Sequence, residues 1–122
     1  MSKKYTRIKS FKFAFQGLRT AIKNEPNFSV QLAIATITLL LAVFLKLNTT
    51  EWLILVLVIS SVLLLELVNT SIEAIVDLVS PEVKDQAKVA KDVAAAAVLI
   101  SSISATIIGG FLFLPKIYTL FF

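Results

Sequence analysis

The sequence contains no cysteine and no histidine, and its 122 residues include only three glycines, three prolines and one tryptophan. The missing residue types exclude a disulfide framework, a thiol nucleophile, an imidazole base and a Cys/His metal site. Any bound metal must therefore be a hard cation with oxygen ligands. Charge is also scarce, because only 16% of the residues are charged. Chemistry in this chain has to rest on its eight carboxylates, its basic side chains, and its amides and hydroxyls.

Apolar residues are abundant, making up 57% of the chain, and the mean hydropathy is +0.88. A soluble domain of this length would not have enough interior to bury that much apolar surface. The apolar residues lie in long blocks, unlike the short alternating runs of a soluble fold. The composition predicts an all-α integral membrane protein, with one membrane-embedded domain over residues 1–122.

The N-terminal region carries most of the positive charge, with seven of the twelve lysines and arginines before residue 24. Between Ile8 and Lys23, apolar side chains recur at spacings of three and four, and basic side chains share one flank of the same helix. This pattern predicts an amphipathic surface helix over about 8–23, lying on an anionic membrane. A solvated basic tail is the alternative interpretation.

Three apolar segments follow, at about 28–45, 52–79 and 93–114, and each is long enough to cross a hydrocarbon core of about 30 Å. Lysine and arginine number seven before the first span, one in the first loop, three in the second loop and one after the third span. The positive-inside rule therefore places the N-terminus and segment 80–92 in the cytoplasm.

Prolines and capping residues mark the ends of these spans. Pro26 is expected in the first turn of the first spanning helix. Asn48 and the two threonines after it are good N-caps for the second, with Glu51 favourable in its first turn. Pro81 is expected at the first position of a new helix, and Pro115 is expected to end the third span.

The second span contains a polar stripe formed by Glu66, Asn69, Glu73 and Asp77. Their helical spacing places them within roughly 80° of one another on one face. Polar groups inside a span are costly, so the stripe must face protein, water or ions. Carboxylates without a fixed cation favour a divalent metal, and the oxygen-only ligand set indicates Mg²⁺. Structural contact between helices is the alternative.

Two further features lie at the cytoplasmic ends of the spans. Lys91 and Asp92 precede the third span, with Lys84 and Lys88 upstream on a similar face, and a lysine at this position suits polyphosphate binding. An ordinary positive-inside flank is the alternative. Glu25, before the first span, is expected either to complete a metal site or to cap a helix.

The run E-L-V-N-T-S-I-E-A-I-V-D at 66–77 resembles the signature of the bacterial integral-membrane diacylglycerol kinase and undecaprenol kinase family. The resemblance extends to G-L-R-T-A-I-K-N-E at 17–25 and A-K-D-V-A-A-A-A-V at 90–98. It implies ATP- and Mg²⁺-dependent phosphorylation of undecaprenol or diacylglycerol in the bacterial cytoplasmic (inner) membrane. It also implies a homotrimer of three-span subunits whose active sites are shared between neighbouring chains. No nucleic-acid partner is expected.

The resemblance also implies residue roles. Glu66 would be the base that accepts the lipid hydroxyl proton, with Asn69 beside it as a second catalytic residue. Glu25 and Glu73 would bind the Mg²⁺ that bridges the ATP phosphates. Further nucleotide contacts would come from Arg7, Phe13, Asp77, Glu82, Lys84, Lys91 and Asp92. Arg19 would contact the lipid substrate together with Glu66.

The chain departs from the family pattern at four positions. Phe13 stands where the family has Tyr, Phe15 where it has Trp, Gln16 where it has Lys, and Lys84 where it has His. These changes leave the phosphoryl-transfer residues in place and affect the expected headgroup and adenine contacts. The altered surface helix, which lacks Trp, favours undecaprenol slightly over diacylglycerol.

Two non-enzymatic functions are alternatives to the kinase. Three short spans with a basic end fit a holin-like pore, and a carboxylate within the membrane fits an ion-coupled transporter. A pore, however, does not need an acidic stripe that continues into a Lys-Asp pair. A transporter built on repeats would show internal similarity, whereas the three spans differ in composition and polarity.

Overall fold

The computed structural model describes residues 3–122, with their side chains from Thr6 onward, and is helical almost throughout. The four helices are α1 (Lys3–Asn24), α2 (Pro26–Phe44), α3 (Thr49–Val79) and α4 (Asp85–Phe121). The last three are long and apolar enough to cross a membrane, as the sequence predicts. α3 packs mainly against α4, while α2 contacts both α3 and α1. The predicted all-α membrane architecture is confirmed.

The junction between α1 and α2 is a sharp break at Glu25 and Pro26. Glu25 is the N-cap residue of α2 with extended backbone angles (φ −113°, ψ 98°), and Pro26 is at the start of the helix. The ring of Pro26 fits there because the first helical N–H groups have no partner within the helix. Ser29 Oγ donates to the carbonyl oxygen of Ile22 at 2.8 Å, which ties the two helices together across the break. The predicted helix start at Pro26 is confirmed.

The turn between α2 and α3 ends in a capping box. Asn48 Oδ1 accepts from the backbone N–H of Glu51 at 2.9 Å, and Glu51 Oε1 accepts from the backbone N–H of Asn48 at 3.4 Å. These two bonds satisfy donors that a helix start leaves free. Lys46 precedes them with φ 56°, a left-handed conformation that non-glycine residues rarely adopt. The predicted N-cap at Asn48 is confirmed.

The helix ends around α4 differ from the prediction. Pro81 does not start a helix, since residues 80–84 are irregular and α4 begins at Asp85 with Lys84 as its N-cap residue. Pro115 does not end the third span, because α4 continues through it to Phe121. Proline is tolerated inside a membrane helix, where neighbouring groups and local adjustment satisfy the freed carbonyl. Both predictions were wrong for the same reason: proline is compatible with more than one position relative to a helix.

Ion pairs join α3 and α4 at both ends of this antiparallel pair. Lys116 Nζ lies 3.2 Å from Glu51 Oε1 at the end where α3 begins and α4 ends. Lys91 pairs with Asp77 at the end where α3 finishes and α4 begins. A small buried cluster of Ala42, Leu47, Leu55 and Phe113 lies near the first of these ends. The second end carries the polar side chains of the predicted site.

Candidate functional site

The polar stripe of α3 turns inward where the helix packs against its neighbours. Glu66 has only 3% of its surface exposed and Asn69 8%, so both are buried. Glu73 is half-buried, and Asp77, in the last turns of α3, is exposed. The stripe therefore runs from a buried carboxylate to an exposed one along a single helix face. A buried carboxylate flanked by Leu65 and Leu67 needs specific polar partners to be tolerated.

Gln31 of α2 supplies one such partner, and the sequence analysis missed it. Its Nε2 donates to Glu66 Oε2 at 3.3 Å, across the contact between α2 and α3. Asn69 Nδ2 in turn donates to Glu73 Oε1 at 3.2 Å, one helical turn away. The signal for Gln31 was available, because it is the only amide side chain in the predicted first span. The sequence does not show which helix Gln31 faces.

Glu25 and Glu73 both lie close enough to Glu66 to interact with it electrostatically. Glu25 occupies the N-cap position of α2, but its side chain makes no capping hydrogen bond there. The structure thus brings three predicted site carboxylates into one neighbourhood, two from α3 and one from the α1–α2 junction. Their mutual repulsion would be relieved by a cation.

The donor set is compatible with Mg²⁺, although it does not form a complete protein cage. Among residues 3–122, no three acidic side chains converge as ligands of one ion. Mg²⁺ usually takes one or two carboxylates and fills its other positions with water and phosphate oxygens. Glu25 and Glu73, both oxygen donors close to Glu66, fit that pattern.

Three buried polar atoms around Glu66 have no hydrogen-bond partner in the described chain: Gln31 Oε1, Asn69 Oδ1 and Thr70 Oγ1. Thr70 differs from several other helical threonines, which donate to the carbonyl four residues earlier, as Thr36 and Thr38 do at 2.8 and 2.7 Å. Leaving a buried polar group unpaired costs about 1–3 kcal/mol. Such a concentration of unpaired groups around one carboxylate is typical of a site that binds something polar.

An apolar cavity of about 320 Å³ lies between α2, α3 and α4 and reaches this carboxylate through Gln31. Its wall is formed mostly by aliphatic side chains, including Ile34, Leu55 and Leu63, and Phe113 also lines it. The space is of the size that accommodates small ligands or part of a larger one. Gln31 therefore links the buried carboxylate of Glu66 to an apolar space within the membrane-spanning bundle.

The predicted cationic residues lie where α3 ends and α4 begins. Lys91 is paired with Asp77, with 39% of its side chain exposed against 65% for Asp77. Lys88 pairs with Asp92 at 2.5 Å, one turn along α4. Asp77, which is expected to contact nucleotide, is thus paired with Lys91. This ion pair connects the polar stripe of α3 to the lysines of α4. The exposure of all four side chains leaves them open to a soluble ligand.

The remaining predicted residues are exposed. Arg7, Phe13 and Arg19 are on α1, and no hydrogen bond or ion pair of the described residues links them to Glu66. Glu82 and Lys84 are in the irregular segment before α4, where Ser80 Oγ donates to the carbonyl oxygen of Glu82 at 3.0 Å. A single chain therefore assembles the carboxylate and lysine parts of the site without these five residues.

Comparisons with known proteins identify a family that covers most of the chain. Residues 12–113 match the family model described as prokaryotic diacylglycerol kinase. The chain is 39% identical to an undecaprenol kinase from Bacillus subtilis over 90% of its own length and 89% of that protein. It is also 39% identical to a diacylglycerol kinase from Haemophilus influenzae, over 87% of this chain and 91% of the relative. A diacylglycerol kinase from Escherichia coli K12 is 33% identical, over 84% and 85% of the two chains.

Proposed function

Because this chain belongs to the prokaryotic diacylglycerol kinase family, and is therefore a membrane-embedded lipid kinase, we propose that it transfers the γ-phosphate of ATP to a lipid alcohol, with undecaprenol as the favoured acceptor. The family excludes the pore and transporter alternatives. Membership in a kinase family implies a nucleotide co-substrate and a lipid substrate. We propose, beyond this, the identity of the lipid, the metal and the roles of the residues.

One observation carries the proposal: Gln31, which donates to the buried carboxylate of Glu66, also lines an apolar cavity within the spanning helices. A water-soluble acceptor would have to leave water to reach a carboxylate at that position, whereas a lipid hydroxyl approaches it from within the membrane. The cavity wall offers an apolar chain a favourable environment. Exposed lysines at the other end of the stripe face water, where ATP is dissolved.

Glu66 acts as the general base in this mechanism. Its carboxylate accepts the proton of the lipid hydroxyl while the hydroxyl oxygen forms a bond to the γ-phosphorus of ATP. The bond between that phosphorus and the β–γ bridging oxygen breaks, and ADP leaves with the electron pair. Asn69 holds Glu73 through its amide and keeps its own Oδ1 free for the reacting groups. Phosphoryl transfer depends mostly on positioning and charge neutralisation, so few residues suffice.

Glu25 and Glu73 would bind Mg²⁺ at the ATP phosphates. When bound, the ion would neutralise charge that develops on the phosphate oxygens. Both residues are near Glu66, so the phosphates would lie next to the base. Lys91 donates to the phosphates, and Asp77 keeps its ammonium group beside the stripe of α3. Asp92, Glu82 and Lys84 are exposed at the same end and would complete the nucleotide contacts.

The surface helix and neighbouring subunits would complete the site. We assign Arg7 and Phe13 to the nucleotide and Arg19 to the lipid headgroup, although α1 of the same chain does not reach Glu66 through a polar contact. A homotrimer would supply these contacts from an adjacent chain. It would also cover part of the large apolar surface that the spans expose as a single chain. The excess of basic residues in α1 and around the start of α4 favours a cytoplasmic N-terminus in a bacterial inner membrane.

The polar groups around Glu66 favour a lipid whose hydroxyl is its only polar group. Two of the three unpaired buried atoms, Gln31 Oε1 and Asn69 Oδ1, are hydrogen-bond acceptors. The ester carbonyls of diacylglycerol are also acceptors, so they cannot pair with those atoms. Undecaprenol carries no polar group other than its hydroxyl, whose oxygen the base activates. Undecaprenol has no ester carbonyl to leave unpaired beside these two acceptors, which favours it over diacylglycerol.

The proposal is tested by phosphate transfer from ATP labelled at the γ-position, with purified protein and Mg²⁺ in mixed micelles. Undecaprenol and diacylglycerol are compared at equal mole fraction, with a micelle that contains neither as blank. We expect label in the phospholipid product from undecaprenol, loss of transfer in Glu73→Gln and retention in Asp85→Asn, an exposed acidic residue outside the proposed site. Faster transfer to diacylglycerol would contradict the lipid assignment, and no transfer to either would contradict the proposed function.

A further inference from the structure

Gln31 is a half-buried residue that no part of the proposed mechanism yet uses. It lies on α2, between the Glu66 carboxylate and the apolar cavity whose wall it helps to form. We propose that Gln31 is a positioning residue for Glu66: its amide holds one carboxylate oxygen so that the other faces the lipid hydroxyl. The inference rests on the proposed function, in which Glu66 is the base.

The geometry distinguishes the two oxygens of Glu66. Oε2 accepts from Gln31 Nε2 at 3.3 Å, whereas no described side chain donates to Oε1. A carboxylate held at only one oxygen cannot rotate freely about its terminal torsion, since rotation would break that bond. The oxygen that remains is the one available to the hydroxyl proton. Gln31 thus determines which part of the carboxylate meets the substrate.

The position of Gln31 within the bundle explains why a second helix is needed for this role. Within α3, the amide next to Glu66 along the stripe is Asn69, and its Nδ2 is engaged by Glu73. The donor to Glu66 therefore comes from α2, the helix that also borders the cavity. Any movement of α2 relative to α3 changes the orientation of the base and the width of the cavity together.

An amide also suits both protonation states of its partner. Nε2–H donates to Glu66 while the carboxylate is charged. After the proton has moved to Glu66 Oε1, Oε2 is the carbonyl oxygen of the carboxylic acid and still accepts from Nε2–H. The proton passes only from the lipid hydroxyl oxygen to Glu66, and Gln31 neither gains nor loses an atom. A second carboxylate or an apolar side chain at position 31 would serve one state at most.

A purely structural role would make Gln31 a polar link between α2 and α3 with no influence on turnover. Thr38 provides the matched control for this alternative. It lies seven residues later on α2, two helical turns along the same face, and lines the same cavity. Its hydroxyl donates to the Ile34 carbonyl at 2.7 Å and makes no contact with Glu66. Thr38→Val therefore perturbs the same wall without touching the base.

The test compares Gln31→Met, Gln31→Asn and Thr38→Val with the wild type, measuring kcat and KM for both substrates in mixed micelles. Methionine matches glutamine in length without a donor, and asparagine keeps the amide one methylene too short to reach Glu66. We expect kcat to fall about 10- to 100-fold in both Gln31 variants, because a misplaced catalytic group loses near-attack geometry. KM for ATP stays within about twofold of the wild type in both Gln31 variants. Thr38→Val lowers kcat by less than either Gln31 variant, because it alters the cavity wall but leaves the bond to Glu66 in place.

A second readout follows the hydrogen bond itself. Infrared spectra of protein labelled with ¹³C-glutamate identify the Glu66 carboxyl band by its loss in Glu66→Gln. This band shifts in Gln31→Met and Gln31→Asn but not in Thr38→Val. Wild-type kcat in a folded Gln31 variant, or an unshifted band, would overturn the role of Gln31 alone. Wild-type protein inactive on every lipid alcohol would overturn the proposed function and this role together.

Discussion

Glu51 has two structural roles at the end of the bundle opposite the carboxylate site. Its side chain accepts from the backbone N–H of Asn48 at 3.4 Å in the capping box, and it pairs with Lys116 of α4 at 3.2 Å. Its side chain is only 18% exposed and that of Lys116 29%. Replacing Glu51 by glutamine keeps a group able to complete the capping box but removes the ion pair, whereas alanine removes both.

The magnitudes follow from these contacts. The ion pair is partly shielded from solvent and should contribute about 1 kcal/mol, the upper end of the range for exposed pairs. The side-chain bond of the capping box adds about 0.5–1 kcal/mol. We therefore expect Glu51→Gln to lower the free energy of unfolding by about 1 kcal/mol and Glu51→Ala by about 2 kcal/mol. Neither variant should change kcat at saturating substrate, because Glu51 lies far from Glu66 along α3.

The assay is reversible unfolding by denaturant in detergent micelles, followed by tryptophan fluorescence of Trp52, the only tryptophan in the chain. A double-mutant cycle with Lys116→Met isolates the ion pair from the cap. Coupling of about 0.5–1 kcal/mol between Glu51→Gln and Lys116→Met would support the assignment. Zero coupling, or equal losses in Glu51→Gln and Glu51→Ala, would refute it.

Three further predictions concern single positions. Lys91→Met should raise KM for ATP about 10- to 100-fold, because a charge-assisted bond to phosphate is lost. Lys88→Met, which removes a partner of Asp92, should raise it less. Equal increases in KM in a steady-state assay would contradict the role of Lys91. Lys46→Gly should raise the free energy of unfolding by about 0.5–1 kcal/mol, because φ 56° suits glycine. A lower free energy of unfolding, measured with denaturant, would contradict this prediction. Pro115→Ala should stabilise the chain by about 1 kcal/mol or more by restoring a backbone donor inside α4, and unchanged or reduced stability would show that the freed carbonyl is already satisfied.

Local signals predicted the helix starts and the polar stripe. Asn48 followed by Glu51 is sufficient to specify a capping box, and Pro26 after a polar break is sufficient to start a helix, because both depend on neighbours within one turn. The common face of Glu66, Asn69 and Glu73 follows from helical periodicity alone. These features required no knowledge of how the helices pack.

The features that the sequence analysis missed depend on tertiary contacts or on competing local preferences. The bond from Gln31 to Glu66 joins residues 35 positions apart, and its existence depends on how α2 crosses α3. Proline rules predicted a helix start at Pro81 and a helix end at Pro115, yet α4 starts four residues after the first and continues past the second. The side chain of Glu25 was expected to cap a helix or to join a metal site, and only the structure shows that it forms no cap bond.

The most direct test of the central claim is single-turnover phosphate transfer by Glu66→Gln, with ATP binding measured in parallel. Glutamine preserves the size of the side chain and its capacity to bond with Gln31 but cannot accept the hydroxyl proton. We predict that transfer slows by about 10²- to 10⁴-fold while ATP affinity stays unchanged, as expected for loss of a general base. Transfer at the wild-type rate in folded Glu66→Gln would contradict the assignment of Glu66 as the base.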